Sequence, residues 1–130
     1  MVLLFVYGSL RQGMYNAPLL RRGRLVAKEA WVNGVLYDTG EGYPGLIAGE
    51  GRVWGEVYQI TQQELRWVDR LEDYNGPNHP DNLYERISLK VRTPEGEQTA
   101  YTYYYRDVER LKQKGKKVAS GDWVAYVNMK

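Results

Sequence analysis

Residues 53–74, VWGEVYQITQQELRWVDRLEDY, change periodicity halfway along, and that change sets the architecture. Val53 to Ile60 alternates and is rich in β-branched and aromatic residues, which is the pattern of a strand. Gly55 interrupts it and predicts a bulge or a close approach of another backbone. Thr61-Gln62-Gln63-Glu64 then has the form of a capping box, in which the threonine hydroxyl and the glutamate carboxylate satisfy helix-terminal N–H groups reciprocally. A helix therefore starts there and runs to about Leu71 or Tyr74, ahead of Gly76-Pro77.

No other segment predicts a helix of that length. Leu3 to Tyr7 is a compact apolar run stopped by Gly8-Ser9, a buried first strand ending in a turn. Asn16 to Arg22 predicts a short helix with Asn16 as cap and Pro18 in its first turn. Leu25 to Trp31 and Val35 to Tyr37 predict two strands joined at Asn33-Gly34, a strong hairpin signal. Glu41 to Gly45 reads as a loop, Leu46 to Ala48 as a short apolar segment, and Asn75 to Asn82 as a second loop. Glu85 to Val91 and Gln98 to Tyr105 form a hairpin around Pro94 to Glu97. In its second strand Tyr101, Tyr103 and Tyr105 share a face, and Tyr104 points the other way. Arg110 to Lys117 reads as a solvated loop, and Ser120 to Trp123 opens a short closing segment. About six strands with one or two real helices do not make a βαβ pattern. They predict an α+β fold, either a small barrel or a strongly bent mixed sheet, with the principal helix packed across it.

The 130 residues suit a single domain, taken as residues 1–130. No cysteine is present, which removes thiolate nucleophiles, thiol redox pairs and thiolate zinc sites. One histidine removes any two-histidine metal site. No metal or cofactor is expected, and the chemistry falls to carboxylates, hydroxyls, amines and backbone amides. The 18 basic and 16 acidic residues leave +2, too little to imply a nucleic-acid partner. Met1 to Val6 is too short to span a membrane and lacks the basic start of a signal peptide. The chain reads as soluble and cytoplasmic. Its 12 tyrosines beside one Phe supply apolar bulk with a polar tip, which suits strands and sites for polar small molecules.

Glu72 is the carboxylate that breaks the pattern. With Leu65 set at zero and about 100° per residue, Val68 falls near −60° and Leu71 near −120°, an arc that faces a core. Glu72 falls near −20°, inside that arc, and Glu64 near −100°, where the cap accounts for it. A carboxylate aimed at an apolar face must find partners, gain a raised pKa or sit at a cavity. The alternatives are a helix that frays before Glu72, or an ion pair with Arg86 or Arg11. Glu85, on one strand face with Ile87, Leu89 and Val91, is a rival.

Val6-Tyr7-Gly8-Ser9-Leu10-Arg11 is the second feature. Successive N–H groups in such a turn can form an anion-binding nest, although no phosphate-loop or dinucleotide motif is present. This VYGSLR segment resembles the signature of the gamma-glutamylcyclotransferase-like family, in particular its small members related to gamma-glutamylaminecyclotransferase. Gly55 to Ile60 is similar to that family's G-x-[VL]-[YW]-x-[IL] strand, Val68 to Tyr74 to its L-D-x-x-E-G segment, and Tyr84-Glu85-Arg86 to its Y-x-R strand start. The tyrosine-rich strand and Ser120 to Trp123 also fit, so the resemblance runs in order along nearly the whole chain.

The resemblance implies a small mixed β-barrel with a cavity at one end. It also implies release of 5-oxoproline from a gamma-glutamyl amide, by attack of the substrate's own α-amino group on its γ-carbonyl. By motif, the amides of Tyr7, Gly8, Ser9 and Leu10 hold the substrate's α-carboxylate, Glu72 is the acid/base, and Tyr84 offers a substrate-side hydroxyl. Gly13 to Asn16 would lie at the cavity entrance. Asp73 departs from the motif's glycine, and the Asn75 to Asn82 loop is longer than the family's. The alternative function is a non-catalytic binder of small metabolites on the same fold. A third reading, nucleic-acid binding through Arg110, Lys112, Lys114, Lys116 and Lys117, has little support from the charge balance.

Overall fold

The structure, a computed structural model, describes residues 1–129. The first strand, β1 (Val2–Val6), is followed by a single 3-10 turn at Ala17–Leu20. Then come β2 (Arg24–Asp38), β3 (Pro44–Ile60), α1 (Gln62–Leu71) and the hairpin of β4 (Tyr84–Thr93) and β5 (Gly96–Tyr105). The chain closes with α2 (Val108–Lys114), the two-residue β6 (Lys116–Lys117) and α3 (Trp123–Asn128). No helix among the described residues is long and apolar enough to cross a membrane.

The six strands form one mixed sheet. β1 runs antiparallel to β3, Val2 opposite Ile60 and Val6 opposite Glu56, and it meets β5 in parallel at Leu4 and Tyr101. β5 pairs antiparallel with β4 from Tyr84–Tyr105 to Thr93–Gly96. β4 touches β2 at Trp31–Arg92, and β2 pairs along β3. The pairings therefore return to their start, a closed ring of strands β3-β1-β5-β4-β2 with β6 added at the end of β2. One buried cluster contains Leu4, Val6, Leu65, Val68, Tyr84 and Tyr103; a second contains Phe5, Tyr7, Val32, Val53, Val57 and Trp123. Adjacent residues of β1 thus serve opposite faces, as the two-residue period of a strand requires. Tyr103 and Tyr105 belong to the first cluster and Tyr104 packs on the second, as the alternation predicts.

Several elements differ from the sequence expectation. Asn33-Gly34 is not a hairpin turn, because β2 passes through it without a break. Gly34 has no positive φ; a Cβ there would lie 2.7 Å from Leu46 Cδ1 and 2.9 Å from the Ile47 carbonyl. The glycine is needed for crowding between strands, and the true connection lies after Asp38. Leu46 and Val53 belong to one strand, β3, with the register shift against β2 taken up between Asn33 and Val35. The segment expected to be a helix after Asn16 is only the 3-10 turn, and the Asn16 side chain makes no cap bond there. The basic run Arg110 to Lys117 is not a loop: Asp107 caps α2 by accepting the Arg110 N–H at 3.1 Å.

α1 starts where its sequence places it. Thr61 Oγ1 accepts the Glu64 N–H at 3.1 Å, and Glu64 Oε1 accepts the Thr61 N–H at 3.0 Å. Such a cap is worth about 1 kcal/mol. Leu65 and Val68 are buried, but Leu71 is exposed, against the even 100° spacing. The cause is local: Glu72 is the C-cap at φ −88°, ψ 6°, and Asp73 turns the chain at φ 52°.

Candidate active site at the end of the first strand

β1 ends at Val6, and the next residues leave the sheet as a folded-back turn. The Arg11 N–H bonds to the Gly8 carbonyl at 3.0 Å, and the Asn16 N–H to the Ser9 carbonyl at 2.8 Å. Asn16 Nδ2 also donates to Ser9 Oγ at 2.9 Å, so one side chain and its own backbone clamp Ser9. Among the described residues, none accepts the backbone N–H of Gly8, Ser9 or Leu10. Gly8 is required by proximity: a Cβ would stand 2.8 Å from Pro44 Cγ at the start of β3.

This turn, the end of α1 and the starts of β3 and β4 enclose a cavity of about 210 Å³. At roughly 30 Å³ per water molecule, that is room for an amino-acid-sized group. Tyr7, Gly8, Ser9, Leu10, Glu72 and Tyr84, the six residues singled out by the sequence, all line it. Of Gly13 to Asn16 only Asn16 does; Gly13 and Met14 face a separate surface groove. Glu85 is absent from the lining, and its Oε1 accepts from Asn82 Nδ2 at 3.1 Å.

Glu72 has neither of the ion-pair partners considered for it. Arg86 bonds Asp69 Oδ2 at 2.5 Å, and Arg11 bonds Glu56 at 2.6 Å and Asp122 at 2.8 Å. Burial, and secondarily the charge of Asp73, push the Glu72 carboxyl up to about 7. That lies at the operating point of a general acid/base near neutral pH. Burial also raises the hydroxyls of Tyr7, Tyr84 and Tyr103, which stay neutral. The Tyr7 hydroxyl donates to the Tyr103 carbonyl at 2.8 Å, and the Tyr84 hydroxyl donates to the Pro44 carbonyl. With their protons engaged, both oxygens have only acceptor lone pairs left to offer.

Two supporting networks escaped the sequence reading. Asp69, one turn before Glu72 on α1, accepts from Arg86 and from the Tyr103 hydroxyl at 2.5 Å, which ties α1 to β4 and β5 beside the cavity. The Arg86 guanidinium also lies over the rings of Tyr74 and Tyr101, 5.1 and 4.9 Å from their centres. Behind the turn, Arg11 and the Gln12 N–H both bond the buried Glu56. Asp122, the other partner of Arg11, is the N-cap of α3. The available signal was the three-residue spacing of Asp69 and Glu72, which places both carboxylates on neighbouring positions of one helix face.

Fold and cavity together define a small α+β protein in which a carboxylate and turn amides that have no partner among the described residues share one site. Over residues 4–125 the chain matches the family described as gamma-glutamyl cyclotransferase, AIG2-like, and it belongs to that family of enzymes. Gamma-L-glutamyl-butirosin B gamma-glutamyl cyclotransferase of Niallia circulans is 37% identical over 123 residues, 95% of this chain and 76% of that one. Among solved structures, YkqA from Bacillus subtilis superposes with TM-score 0.77 at 26% identity; the match covers 98% of this chain and 41% of YkqA. An AIG2-like protein from Mus musculus has TM-score 0.70 at 26% identity, covering 85% of this chain and 82% of that one.

Proposed function

We propose that the cavity binds the glutamyl half of a gamma-glutamyl amide and cyclises it to 5-oxoproline. The N–H groups from Tyr7 to Leu10 grip the α-carboxylate. The acceptor oxygens of Tyr7 and Tyr84 suit the α-ammonium. The Glu72 carboxylate takes a proton from that ammonium, and the freed amine attacks the γ-carbonyl carbon. As the bond from this carbon to the amide nitrogen breaks, Glu72 returns the proton to the leaving nitrogen, and the ring nitrogen gives its second proton to the departing amine, which leaves as an ammonium. The products are 5-oxoproline and a free amine, with no metal or cofactor in the step. The reaction is intramolecular, so holding the glutamyl half in the attacking conformation supplies much of the acceleration. The proposal takes the chain as one domain built on a barrel-like ring of strands, acting on a small molecule in the cytoplasm.

The observation that carries this reading is the shared cavity: Glu72, raised to about 7, and the unengaged amides of Gly8, Ser9 and Leu10 line it together. The test is 5-oxoproline release from a panel of gamma-glutamyl amides. Glu72→Gln should bind the same ligands, read as a ligand-induced thermal shift, and lose on the order of 10²- to 10⁴-fold in turnover. Glu85→Gln and Asp73→Asn should be milder. Near-wild-type turnover in Glu72→Gln would reassign the base, and binding without turnover in the wild type would make the protein a metabolite binder.

A further inference from the structure

The charge of the cavity is one-sided. Its floor, including Val6, Tyr7, Tyr84 and Tyr103, is buried, whereas Leu71 and Asp73 are exposed. The cavity therefore opens past the end of α1. Glu72 and Asp73 are its two ionisable carboxyls, and no Lys, Arg or His is among the described residues lining it. Of the arginines on the framing elements, Arg86 is committed to Asp69, and Arg11 to Glu56 and Asp122; Arg70, in the last turn of α1, is exposed and is not part of the lining. Asp73 also holds a left-handed conformation, φ 52°, that favours glycine. A carboxylate thus stands at the mouth in a conformation that a residue without a side chain would adopt more readily.

We propose that Asp73 determines the leaving group: the enzyme prefers gamma-glutamyl amides whose amine half carries a positive charge, and discriminates against those whose amine half carries a carboxylate. The inference rests on the gamma-glutamyl amide reading above. With the glutamyl half held at the turn amides and Glu72 at the scissile nitrogen, the amine half extends toward the mouth and passes Asp73. An ammonium there meets an opposite charge. A carboxylate there meets the like charge of Asp73 and no cation in the lining, a repulsive element of the kind that sets specificity. α-Amino acid leaving groups are the worst placed, since their carboxylate sits one carbon from the scissile nitrogen, next to Glu72.

The test uses the gamma-glutamyl amides of 1,4-diaminobutane, pentylamine and 5-aminopentanoate. Each has four methylenes after the scissile nitrogen, ending in an ammonium, a methyl group and a carboxylate respectively. In the wild type, kcat/KM should fall in that order, by roughly tenfold from first to last, the scale of a partly screened pair of charges. About 1 M salt should compress the series. In Asp73→Asn, which tolerates the same backbone conformation, the cation-to-neutral ratio should fall toward one. Asp73→Gly should behave alike. Ratios taken within one protein cancel any change in the reactivity of Glu72. A wild-type ratio near one, or a ratio that survives in both variants, overturns the inference. Release of 5-oxoproline from none of the three amides overturns the gamma-glutamyl amide reading itself, a different result.

Discussion

Glu72 is held at a thermodynamic disadvantage. Its folded pKa of about 7 lies above the usual value near 4.3 of an unfolded chain, so the folded state binds the proton more tightly. The neutral form's contribution is fully present below about pH 4.5 and is lost as pH rises through about 7. Glu72→Gln keeps the shape without the charge. It should match the wild type in stability at pH 4 and exceed it at pH 8 by at most about 3.7 kcal/mol. Melting temperature against pH for both proteins checks this; a constant difference would mean that Glu72 is not desolvated. In catalysis the same group acts first as base, so kcat/KM should rise with pH through about 7. Asp73→Asn should move that limb to lower pH, though not to the ordinary carboxylate range, because burial is the larger cause of the shift. Glu72 lines the cavity as its helical angle suggested, although α1 ends at Leu71, as the fraying alternative had it, and Glu72 is its C-cap. Its lack of a cation was not legible in the sequence, because Arg86 and Arg11 were both plausible until the fold gave them to Asp69 and Glu56.

Among elements, the turn after β1 has the tightest geometry. Gly8→Val would drive side-chain atoms into Pro44, and displacement of the amides by about 1 Å should cost on the order of 10²-fold in kcat/KM. Ser9→Ala loses only the bond from Asn16 and should raise KM a few-fold with kcat nearly unchanged, as expected for about 1 kcal/mol. Steady-state kinetics on the two variants separates them, and full activity in Gly8→Val would remove the turn from the site. The start of α1 could be read from four residues because a capping box is wholly local. The ends of elements were harder. Leu71 leaves the apolar arc because the chain turns at Asp73, and Asn16 serves the turn at Ser9 in place of the cap expected of it.

At the scale of the molecule, Arg11 joins three distant parts of the chain: the turn after β1, Glu56 of β3 and Asp122 at α3. Arg11→Ala leaves the buried Glu56 carboxylate without its cation, which should cost about 3–5 kcal/mol in chemical denaturation. Activity should fall further than the loss of folded protein explains, because the turn loses its anchor. A cost under about 1 kcal/mol would show the bridge to be a surface pair in effect. Gly55 has the same long-range logic. A Cβ there would stand 2.0 Å from the Val6 carbonyl, so its place in β3 is dictated by β1.

The sequence by itself determined what is local or periodic: the strand-to-helix change at Thr61, the alternation of the tyrosine strand, the inward angle of Glu72 and the glycine turn after the first strand. Hydrogen bonds and side-chain directions of that kind depend on residues within one or two turns of each other. Tertiary structure decided which charges pair, where Asn33-Gly34 runs straight through a strand, and that Tyr84 donates to Pro44 across the cavity. Each of these depends on residues far apart in the chain whose proximity is set by the closing of the strand ring. Local propensity carries no information about such distances, and a turn signal yields wherever packing against another strand is worth more than the turn.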